Sequence, residues 1–455
     1  MNKELLYKKE TVYKKLGKET VDAAFAYAEG YKAFLDAAKT EREAVKVAID
    51  MLSAKGFTEY VLGDSVKPGD KLYYNNRGKN LFAFVIGSED ITKGIRITAS
   101  HVDAPRLDLK QCPLYEEAGI AYFKTHYYGG IRKYQWVATP LALHGVIITK
   151  DGKTVDVCIG EDDSDPIFYI TDLLPHLGYE QNKLSLADGI NGEQLNVVLG
   201  NMPEEDENSV KNAVLTLIAD KYGVVEEDLL SSELCVVPAA KARDIGFDRS
   251  MIGAYGHDDR VCAYPSLTAL MELEAPKYTV MAILADKEEI GSDGASGMQC
   301  DLMLDIIDAI AASFGASAAR VRANSKCLSA DVCCAYDPSF ASVFEKMNSA
   351  YVGCGAVFTK YTGSRGKSGT NDANPEFIAW LRAAMEKNNV VWQAGELGKV
   401  DAGGGGTVAK FISKHNIETI DLGAPLLAMH APVELVSKVD VYELHKAITA
   451  FNTFD

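Results

Sequence analysis

The stretch YTVMAILADKEEIGSDG, residues 278–294, decides the fold that we predict for this chain. An apolar segment with strand character runs directly into the charged residues DKEE and then into a turn that contains two glycines. In open α/β sheets, ligands lie beyond the carboxyl ends of the strands. Glu288 and Glu289 therefore lie where a site is expected. Because successive residues leaving a strand point in opposite directions, the two carboxylates can have separate roles.

The segments around this stretch alternate between predicted strands and predicted helices. Two neighbouring strands, LFAFVIG at residues 81–87 and GIRITAS at residues 94–100, lie upstream of it. Thr40 and Glu43 form a capping box for a helix at residues 41–52. Further helices are predicted at residues 23–35, 301–314, 375–387 and 434–451. This alternation indicates an α/β fold with a doubly wound sheet.

The middle of the chain, residues 105–242, has a different texture. Short segments with strand character prevail there, at residues 121–128, 141–150 and 154–159, followed by a weakly helical, acidic stretch at residues 201–227. Because a chain of 455 residues exceeds one ordinary domain, we predict two domains. A discontinuous catalytic domain with a mixed sheet, residues 1–104 and 243–455, is interrupted by a mostly β insertion at residues 105–242.

Composition and charge argue against several classes of protein. Apolar residues make up 47% of the chain and charged residues 24%, which is typical of a globular protein. The net charge of −17 argues against nonspecific binding to nucleic acid or to an anionic membrane. The nine cysteines form no CxxC pair, so we expect reduced thiols. The N-terminus is charged and lacks an apolar signal segment, and we predict a cytoplasmic protein.

Imidazole and carboxylate groups follow several of the predicted strands. They are His101 and Asp103 in HVD, Asp258 and Asp259 in GHDDR, the pair Glu288 and Glu289, Asp331, and His430. Imidazole together with carboxylate suits zinc, cobalt or manganese, whereas an all-oxygen set suits magnesium or calcium. A two-metal site needs one shared carboxylate and one further carboxylate that takes the proton of the attacking water. The adjacent glutamates can supply that further group.

Each of these signals also has a purely structural interpretation. A histidine after a strand is often only packed or hydrogen bonded, and an aspartate in GHDDR suits the start of a helix. Asp331 lies between apolar neighbours, where an uncompensated buried carboxylate is costly and requires a partner. We assign structural or surface positions to the remaining histidines, His126, His144, His176, His257, His415 and His445.

The order of the motifs along the chain resembles one known family. HVDAPRLDLK, GHDDRVCAYPSL, DKEEIGSDGASG, SADVCCAYDP and LLAMHAPVEL together are similar to the aspartyl aminopeptidase family of co-catalytic di-zinc exopeptidases, over essentially the whole chain. The resemblance implies two zinc ions per subunit, with cobalt or manganese as alternatives. It implies one set of metal ligands: His101, Asp258, Glu289, Asp331 and His430.

The resemblance also implies a role for each group. Asp258 would bridge the ions, with His101 and Asp331 on one and Glu289 and His430 on the other. Glu288 would be the general base, and Asp103 would orient the imidazole of His101. Where many relatives have aspartate followed by asparagine, this chain has Asp258 and Asp259, so either residue can be the bridge; we prefer Asp258. The closing block MHAPVEL also lacks the arginine of the more usual MHSxRE.

A basic loop, VFTKYTGSRGKSGTNDANPEF, lies where relatives have a lysine that contacts the acidic side chain of the substrate. Lys360, Arg365 and Lys367 are our candidates for that contact, and a solvated basic loop is the alternative. From the same resemblance, His176 is a candidate that reaches the site of a neighbouring subunit. The insertion is expected to form the dimer interface of a homo-oligomer, a dodecamer built from dimers.

The expected activity is hydrolysis of the N-terminal residue from small peptides, with a preference for Asp and Glu. Two alternatives remain open at this point. A related di-zinc enzyme with broad neutral specificity, or an amidohydrolase for acylated amino acids, would keep the ligands and change only the loop near Lys360. A non-catalytic oligomeric protein that binds peptides is the second alternative.

Overall fold

The structure is a computed structural model, which describes residues 5–204 and 209–455. The helices within these ranges are α1 Val12–Lys15, α2 Lys18–Ala37, α3 Glu41–Ser53, α4 Val210–Tyr222, α5 His257–Met271, α6 Leu302–Ser313, α7 Ala318–Asn324, α8 Pro375–Lys387, α9 Ala409–Ser413 and α10 Lys438–Thr453. The strands are β1 Thr58–Glu59, β2 Lys71–Asn76, β3 Asn80–Val85, β4 Ile95–His101, β5 Arg106–Glu117, β6 Ile120–Tyr128, β7 Leu141–Ile148, β8 Thr154–Ile159, β9 Tyr169–Ile170, β10 Val197–Gly200, β11 Ser232–Pro238, β12 Arg243–Ile245, β13 Met251–Ala254, β14 Thr279–Ala285, β15 Lys326–Ser329, β16 Cys333–Cys334, β17 Ala356–Thr359, β18 Trp392–Ala394, β19 Glu418–Gly423, β20 Pro425–Leu427 and β21 Glu434–Ser437.

A nine-stranded mixed sheet forms the centre of the molecule, in the order β1-β2-β3-β14-β4-β15-β19-β17-β18. Its four middle strands, β14, β4, β15 and β19, are parallel to one another. Ala285, the last residue of β14, lies beside His101, the last residue of β4. The carboxyl ends of these strands consequently meet at one edge of the sheet, where a site is expected.

The residues of β14 alternate between two cores, one on each face of this sheet. Val280, Ala282 and Leu284 pack in the core that also contains residues of α2, α3, α5, α8 and α10. Met281 and Ile283 pack in the opposite core, with residues of α6 and α9. Because side chains of a strand point alternately to the two faces, a continuous apolar run is required where both faces are covered. The result is a three-layer α/β arrangement.

Two smaller sheets accompany the central one. Residues between Arg106 and Pro238 form a seven-stranded sheet in the order β8-β7-β11-β5-β6-β10-β9, with a separate apolar core. All of its pairings are antiparallel. A five-stranded sheet, in the order β12-β13-β21-β20-β16, lies at the carboxyl side of the chain and carries further residues of the site.

The predicted fold class is confirmed, because the observed architecture is an α/β fold in which the nine-stranded and the five-stranded sheets are mixed. The predicted capping box is also present: the hydroxyl of Thr40 accepts a hydrogen bond from the backbone of Glu43. Within the described residues all nine cysteines are free. No single described helix is both long and apolar enough to cross a membrane, and only the bent pair α6 and α7, at 112°, passes that test when taken together.

Two predicted helices differ from the structure. The last helix begins at Lys438 and not at Glu434, because residues 434–437 form strand β21, paired with β13 and β20. Tertiary pairing outweighs the local helical preference of these residues. Of the stretch predicted as weakly helical at residues 201–227, only α4 is an α-helix. Residues 205–208 of that stretch lie outside the described part of the chain.

Candidate metal centre

The carboxyl ends of β4, β14 and β15 bring together groups that are distant in the sequence. His101 ends β4, Glu288 and Glu289 form a short turn after β14, and Asp331 follows β15 by two residues. The turn is made possible by Gly291, which has a φ of +96°. These side chains line one cavity of about 390 Å³, a volume in the range typical of sites for small ligands.

The five-stranded sheet supplies the other two predicted ligands. Asp258 lies in the first turn of α5, which follows β13, and His430 lies in the turn between β20 and β21. The peptide bond between Asp258 and Asp259 is cis. Both Asp258 and His430 line the same cavity as the groups from the central sheet. The fold thus brings all five predicted ligands together.

Asp258 is the group between the two imidazoles. Its Oδ1 lies 3.2 Å from Nε2 of His101, and its Oδ2 lies 3.2 Å from Nε2 of His430. Glu289 Oε1 lies 3.5 Å from the same nitrogen of His430. His101, Asp258 and Glu289 form one group whose ligand atoms are all within 4.8 Å of one another. Each carboxylate oxygen of Asp258 thus faces a different half of the cluster.

Asp259 occupies a different position from Asp258. It forms a second compact group with His101 and Asp331, again with ligand atoms within 4.8 Å of one another. Its Oδ2 accepts a hydrogen bond from the backbone of His101 at 3.3 Å. Burial and the nearby carboxylate of Asp331 raise the pKa of Asp259 well above its ordinary value. Asp259 therefore contacts only the half of the cluster that contains His101.

Asp103 forms hydrogen bonds with several residues of the centre. Both its backbone oxygen, at 3.0 Å, and its Oδ1, at 3.2 Å, lie within reach of Nδ1 of His101. This contact leaves Nε2 of His101 directed at the cluster. The carboxylate of Asp103 also accepts hydrogen bonds from the backbone of Glu288 at 3.1 Å, from the backbone of Glu289 at 3.2 Å, and from the hydroxyl of Tyr128 at 2.8 Å. Asp103 thus positions the adjacent glutamates as well as the imidazole.

Glu434 has a similar positioning role that the sequence analysis did not assign. Its carboxylate accepts hydrogen bonds from the backbone of Asp258 at 3.0 Å and from that of His430 at 2.6 Å. Burial and the charge of Asp258 raise the pKa of Glu434 to about 8. Its position four residues after His430, at the end of the motif MHAPVE, was the available signal.

Two glycines of the insertion approach the ligands closely, and they too were missed. The carbonyl oxygen of Gly130 accepts a hydrogen bond from Nδ1 of His430 at 2.8 Å. Gly129 has a φ of +73°, and a Cβ at this position would lie 3.2 Å from Cβ of Glu289. Only glycine fits this conformation and this contact without strain. The dipeptide GG at the end of β6 was the signal in the sequence.

The cluster carries an excess of buried negative charge. Burial, together with the charges of neighbouring carboxylates, raises the pKa of Glu289 and of Asp331 well above their ordinary values. Burial alone would lower the pKa of His430, yet the carboxylates of Asp258 and Glu289 raise it to about 10. Burial also raises the pKa of Glu288 to about 7.

These residues fit divalent cations. The donor set combines two imidazoles with several carboxylates, as zinc prefers. Oε1 of Glu289 is buried and has no hydrogen-bond partner among the described residues. A buried carboxylate oxygen without a hydrogen bond is costly, and a cation would satisfy it. Because cations would offset the negative charge that raises these pKa values, the cluster is consistent with a metal centre.

The predicted substrate contacts lie elsewhere. Lys360 and Lys367 are 3.4 and 2.8 Å from the carboxylate of Asp372, and neither lines the cavity. Arg365 is exposed and lies against a separate, small concavity of about 60 Å³. His176 is exposed in a short turn of the insertion and does not line the cavity within this chain. Their roles stay predictions.

A second group of potential ligands lies between α3 and the insertion. Glu43, His144 and Cys158 are close enough to hold a metal. The two ring nitrogens of His144, however, contact the carboxylates of Glu43 and Glu161 at 2.8 and 3.0 Å. The ammonium of Lys39 lies 2.9 Å from the carboxylate of Glu161. Since these two cations already balance the two carboxylates, the group is an ion-pair network.

A mixed α/β fold with buried imidazole and carboxylate groups at the carboxyl ends of its central strands is typical of metal-dependent hydrolases. A family described as "Aminopeptidase I zinc metalloprotease (M18)" matches residues 34–454. This chain belongs to the M18 family of zinc aminopeptidases. The membership confirms the resemblance that the order of the motifs indicated.

Similar proteins cover the whole chain. A probable M18 family aminopeptidase 1 of Clostridium acetobutylicum is 48% identical over 462 residues, which is 99% of each chain. The crystal structure of an M18 aminopeptidase from Thermotoga maritima is 40% identical, with a TM-score of 0.94, covering 99% of this chain and 100% of that one. The crystal structure of aminopeptidase I from Clostridium acetobutylicum is 44% identical, with a TM-score of 0.92, covering 98% of this chain and 100% of that one.

Proposed function

We propose that this M18 aminopeptidase uses two zinc ions per subunit to remove N-terminal Asp or Glu residues from short peptides. One observation carries the proposed count of two: the two oxygens of Asp258 face the imidazoles of His101 and His430, each at 3.2 Å. A carboxylate in this position can bridge two ions. His101 and Asp331 would complete one ligand set, and Glu289 and His430 the other. Cobalt or manganese would suit the same donors.

When bound by these residues, zinc would polarise the scissile carbonyl and lower the pKa of a water molecule. The residues of the chain handle the proton. Glu288 lines the cavity without a place in either proposed ligand set, so its carboxylate is free to take the proton of the attacking water. The same group then donates this proton to the leaving amine. Asp103 holds the backbone of Glu288 at 3.1 Å and so fixes the direction of its side chain.

The free amino group of the substrate gives the enzyme its preference for the end of a peptide. A protonated amine is attracted by the carboxylates that line the cavity, which include Glu288, Glu289 and Asp331. An internal peptide bond offers no such amine. Hydrolysis therefore removes one residue from the N-terminus. Broad neutral specificity, or the hydrolysis of acylated amino acids, would require the same centre with a different contact to the substrate side chain.

The metal content and the substrate preference can be measured together. We expect about two zinc ions per purified chain, and the highest kcat/KM for peptides that begin with Asp or Glu among those that begin with Asp, Glu, Leu, Ala or Lys. A chelator should abolish turnover, and added zinc, cobalt or manganese should restore it. Faster cleavage of neutral residues would retain the mechanism and reject the acidic preference. No metal and no cleavage after reloading would reject the enzyme and favour the peptide-binding alternative.

We also propose that residues 105–242 form a subunit interface. A segment of this insertion exposes large apolar side chains by half or more, at Leu173, Leu174, Leu177, Tyr179, Leu184 and Leu186. An exposed apolar surface of this kind is typical of an interaction site. A solved structure of S. cerevisiae mApe1, which is 21% identical over 95% of this chain with a TM-score of 0.76, is described as a dodecamer. A second copy of this chain is the partner that we infer.

The mass in solution tests this interface. Sedimentation of the purified protein should give a mass several times the 49.4 kDa of one chain, and a dodecamer would be twelve times that mass. Replacing Leu177, which is 67% exposed, by Asp should lower the mass of the assembly because a charge would be buried at the contact. Val61, which is 64% exposed and lies outside residues 105–242, provides the matched control when it is replaced by Asp. A parent protein that sediments as a single chain would contradict the proposal.

A further inference from the structure

The cavity of the metal centre contains one cationic side chain besides its two imidazoles. Lys410 of α9 lines the cavity, and no other lysine or arginine does so among residues 5–204 and 209–455. We propose that Lys410 receives the acidic side chain of the substrate's N-terminal residue and sets the preference for Asp and Glu. This inference rests on the acidic preference proposed above, and it assigns that preference to a residue outside the basic loop at Lys360.

Lys410 has no carboxylate partner within the described part of the chain. Its ammonium nitrogen lies over the ring of Phe411, 4.6 Å from the ring centroid. The side chain is half-buried. Lys360 and Lys367, by contrast, both lie against Asp372. A partly enclosed ammonium without a partner attracts a carboxylate more strongly than an exposed lysine that already has one.

The walls of the cavity combine apolar side chains with the ammonium group of Lys410. Val332, Leu397 and Met429 provide apolar contacts for the stem of a side chain. Thr407 also lines the cavity, but its hydroxyl donates to the carboxylate of Asp421 at 2.6 Å and is thereby engaged. Lys410 is therefore the group that can bind an anionic end. A basic substrate side chain would be repelled by it.

The glycine run GGGG, residues 403–406, forms part of the cavity wall near Lys410. A Cβ at Gly406 would lie 3.6 Å from the ammonium nitrogen of Lys410 and 3.9 Å from its Cδ. Gly404 has a φ of +130°, and a Cβ there would meet the carbonyl oxygen of Gly363 at 2.1 Å. A side chain at Gly404 would therefore displace this wall of the cavity, whereas a Cβ at Gly406 would make an ordinary van der Waals contact with the lysine. The run lines the cavity at Gly404, Gly405 and Gly406.

Replacing Lys410 by Met tests the proposal, since Met keeps the length of the side chain and removes its charge. We expect kcat/KM to fall on the order of 10- to 100-fold for peptides beginning with Asp or Glu, and to stay within about threefold for Leu and Ala peptides. Lys410→Arg should keep the acidic preference because it keeps the charge. Lys414→Met is the matched control: Lys414 also lies over the ring of Phe411, but it is exposed and does not line the cavity.

Binding of the products provides a readout that does not depend on turnover. Calorimetric titration with L-aspartate and with L-leucine should show weaker binding of aspartate to Lys410→Met and unchanged binding of leucine. The zinc content and the thermal midpoint of each variant show whether the centre and the fold are intact. Equal losses for acidic and neutral substrates, together with lost zinc, would assign Lys410 a structural role and overturn the inference.

The parent enzyme separates a failure of this inference from a failure of the proposed function. A parent that prefers neutral residues rejects the acidic preference, and the role of Lys410 with it. A parent that prefers acidic residues, and a Lys410→Met variant that retains this preference, rejects Lys410 alone. Lys360→Met belongs in the same series, because loss of the preference in that variant and not in Lys410→Met would assign the contact to the basic loop.

Discussion

Replacing Glu288 by Gln is expected to lower kcat by about 10²- to 10⁴-fold, while the zinc content stays that of the parent protein. Glu288 lines the cavity and has no place in the proposed ligand sets, so its loss removes the proton acceptor without removing a ligand. The amide of Gln has the size of the carboxylate and cannot take the proton. The measurements are steady-state rates on a dipeptide and zinc per chain by atomic absorption.

The neighbouring residue provides the control for this variant. Oε1 of Glu289 is buried without a hydrogen-bond partner in the described chain and lies 3.5 Å from Nε2 of His430. Glu289→Gln should therefore lose zinc as well as activity, because an amide is a poorer ligand than a carboxylate. Equal loss of zinc in both variants would show that the roles of these two glutamates have been assigned wrongly.

Replacing Asp258 by Asn is expected to abolish turnover and to weaken zinc binding strongly. Loss of a residue that only supports a ligand costs roughly 10- to 100-fold in metal affinity, and loss of the bridging ligand should cost more. The two carboxylate oxygens of Asp258 lie 3.2 Å from two different imidazoles. Asn has one oxygen and directs an NH₂ group at the second position, where it would repel a cation. Zinc content after dialysis against a weak chelator measures the effect.

Asp259→Asn is the matched control and should keep most of the zinc. The carbonyl oxygen of Asn can still accept the hydrogen bond that Asp259 accepts from the backbone of His101 at 3.3 Å. The amide also has the size of the carboxylate that it replaces. The opposite result, with zinc lost from Asp259→Asn and retained by Asp258→Asn, would identify Asp259 as the bridge.

The sequence determined the fold class, because its information is local and periodic. The apolar run of β14 predicts a strand that is covered on both faces, and the alternating elements around it predict a mixed α/β fold. The capping box at Thr40 and Glu43 is a contact between near neighbours in the chain and was predicted from those two residues. The residue types and order of the five motifs were sufficient to indicate the family.

The tertiary structure decided which groups share a cavity and which do not. Glu434 begins strand β21, which pairs with β13. Its carboxylate therefore reaches the backbone of Asp258, a residue 176 positions away in the chain. Gly130 of the insertion likewise contacts His430 across 300 positions. No local pattern encodes such pairs, because they depend on the pairing and packing of segments that lie far apart in the chain.

The same reason explains the positions of the basic residues. A run of lysine and arginine near Lys360 indicates a basic loop, but the sequence does not show that Lys360 and Lys367 have a carboxylate partner in Asp372. Lys410 stands after a glycine run and has no distinguishing neighbour in the sequence. Its cationic end becomes significant only when the fold places α9 at the wall of the metal cavity. Charge and residue type are properties of the sequence, whereas enclosure and the absence of a partner are properties of the folded chain.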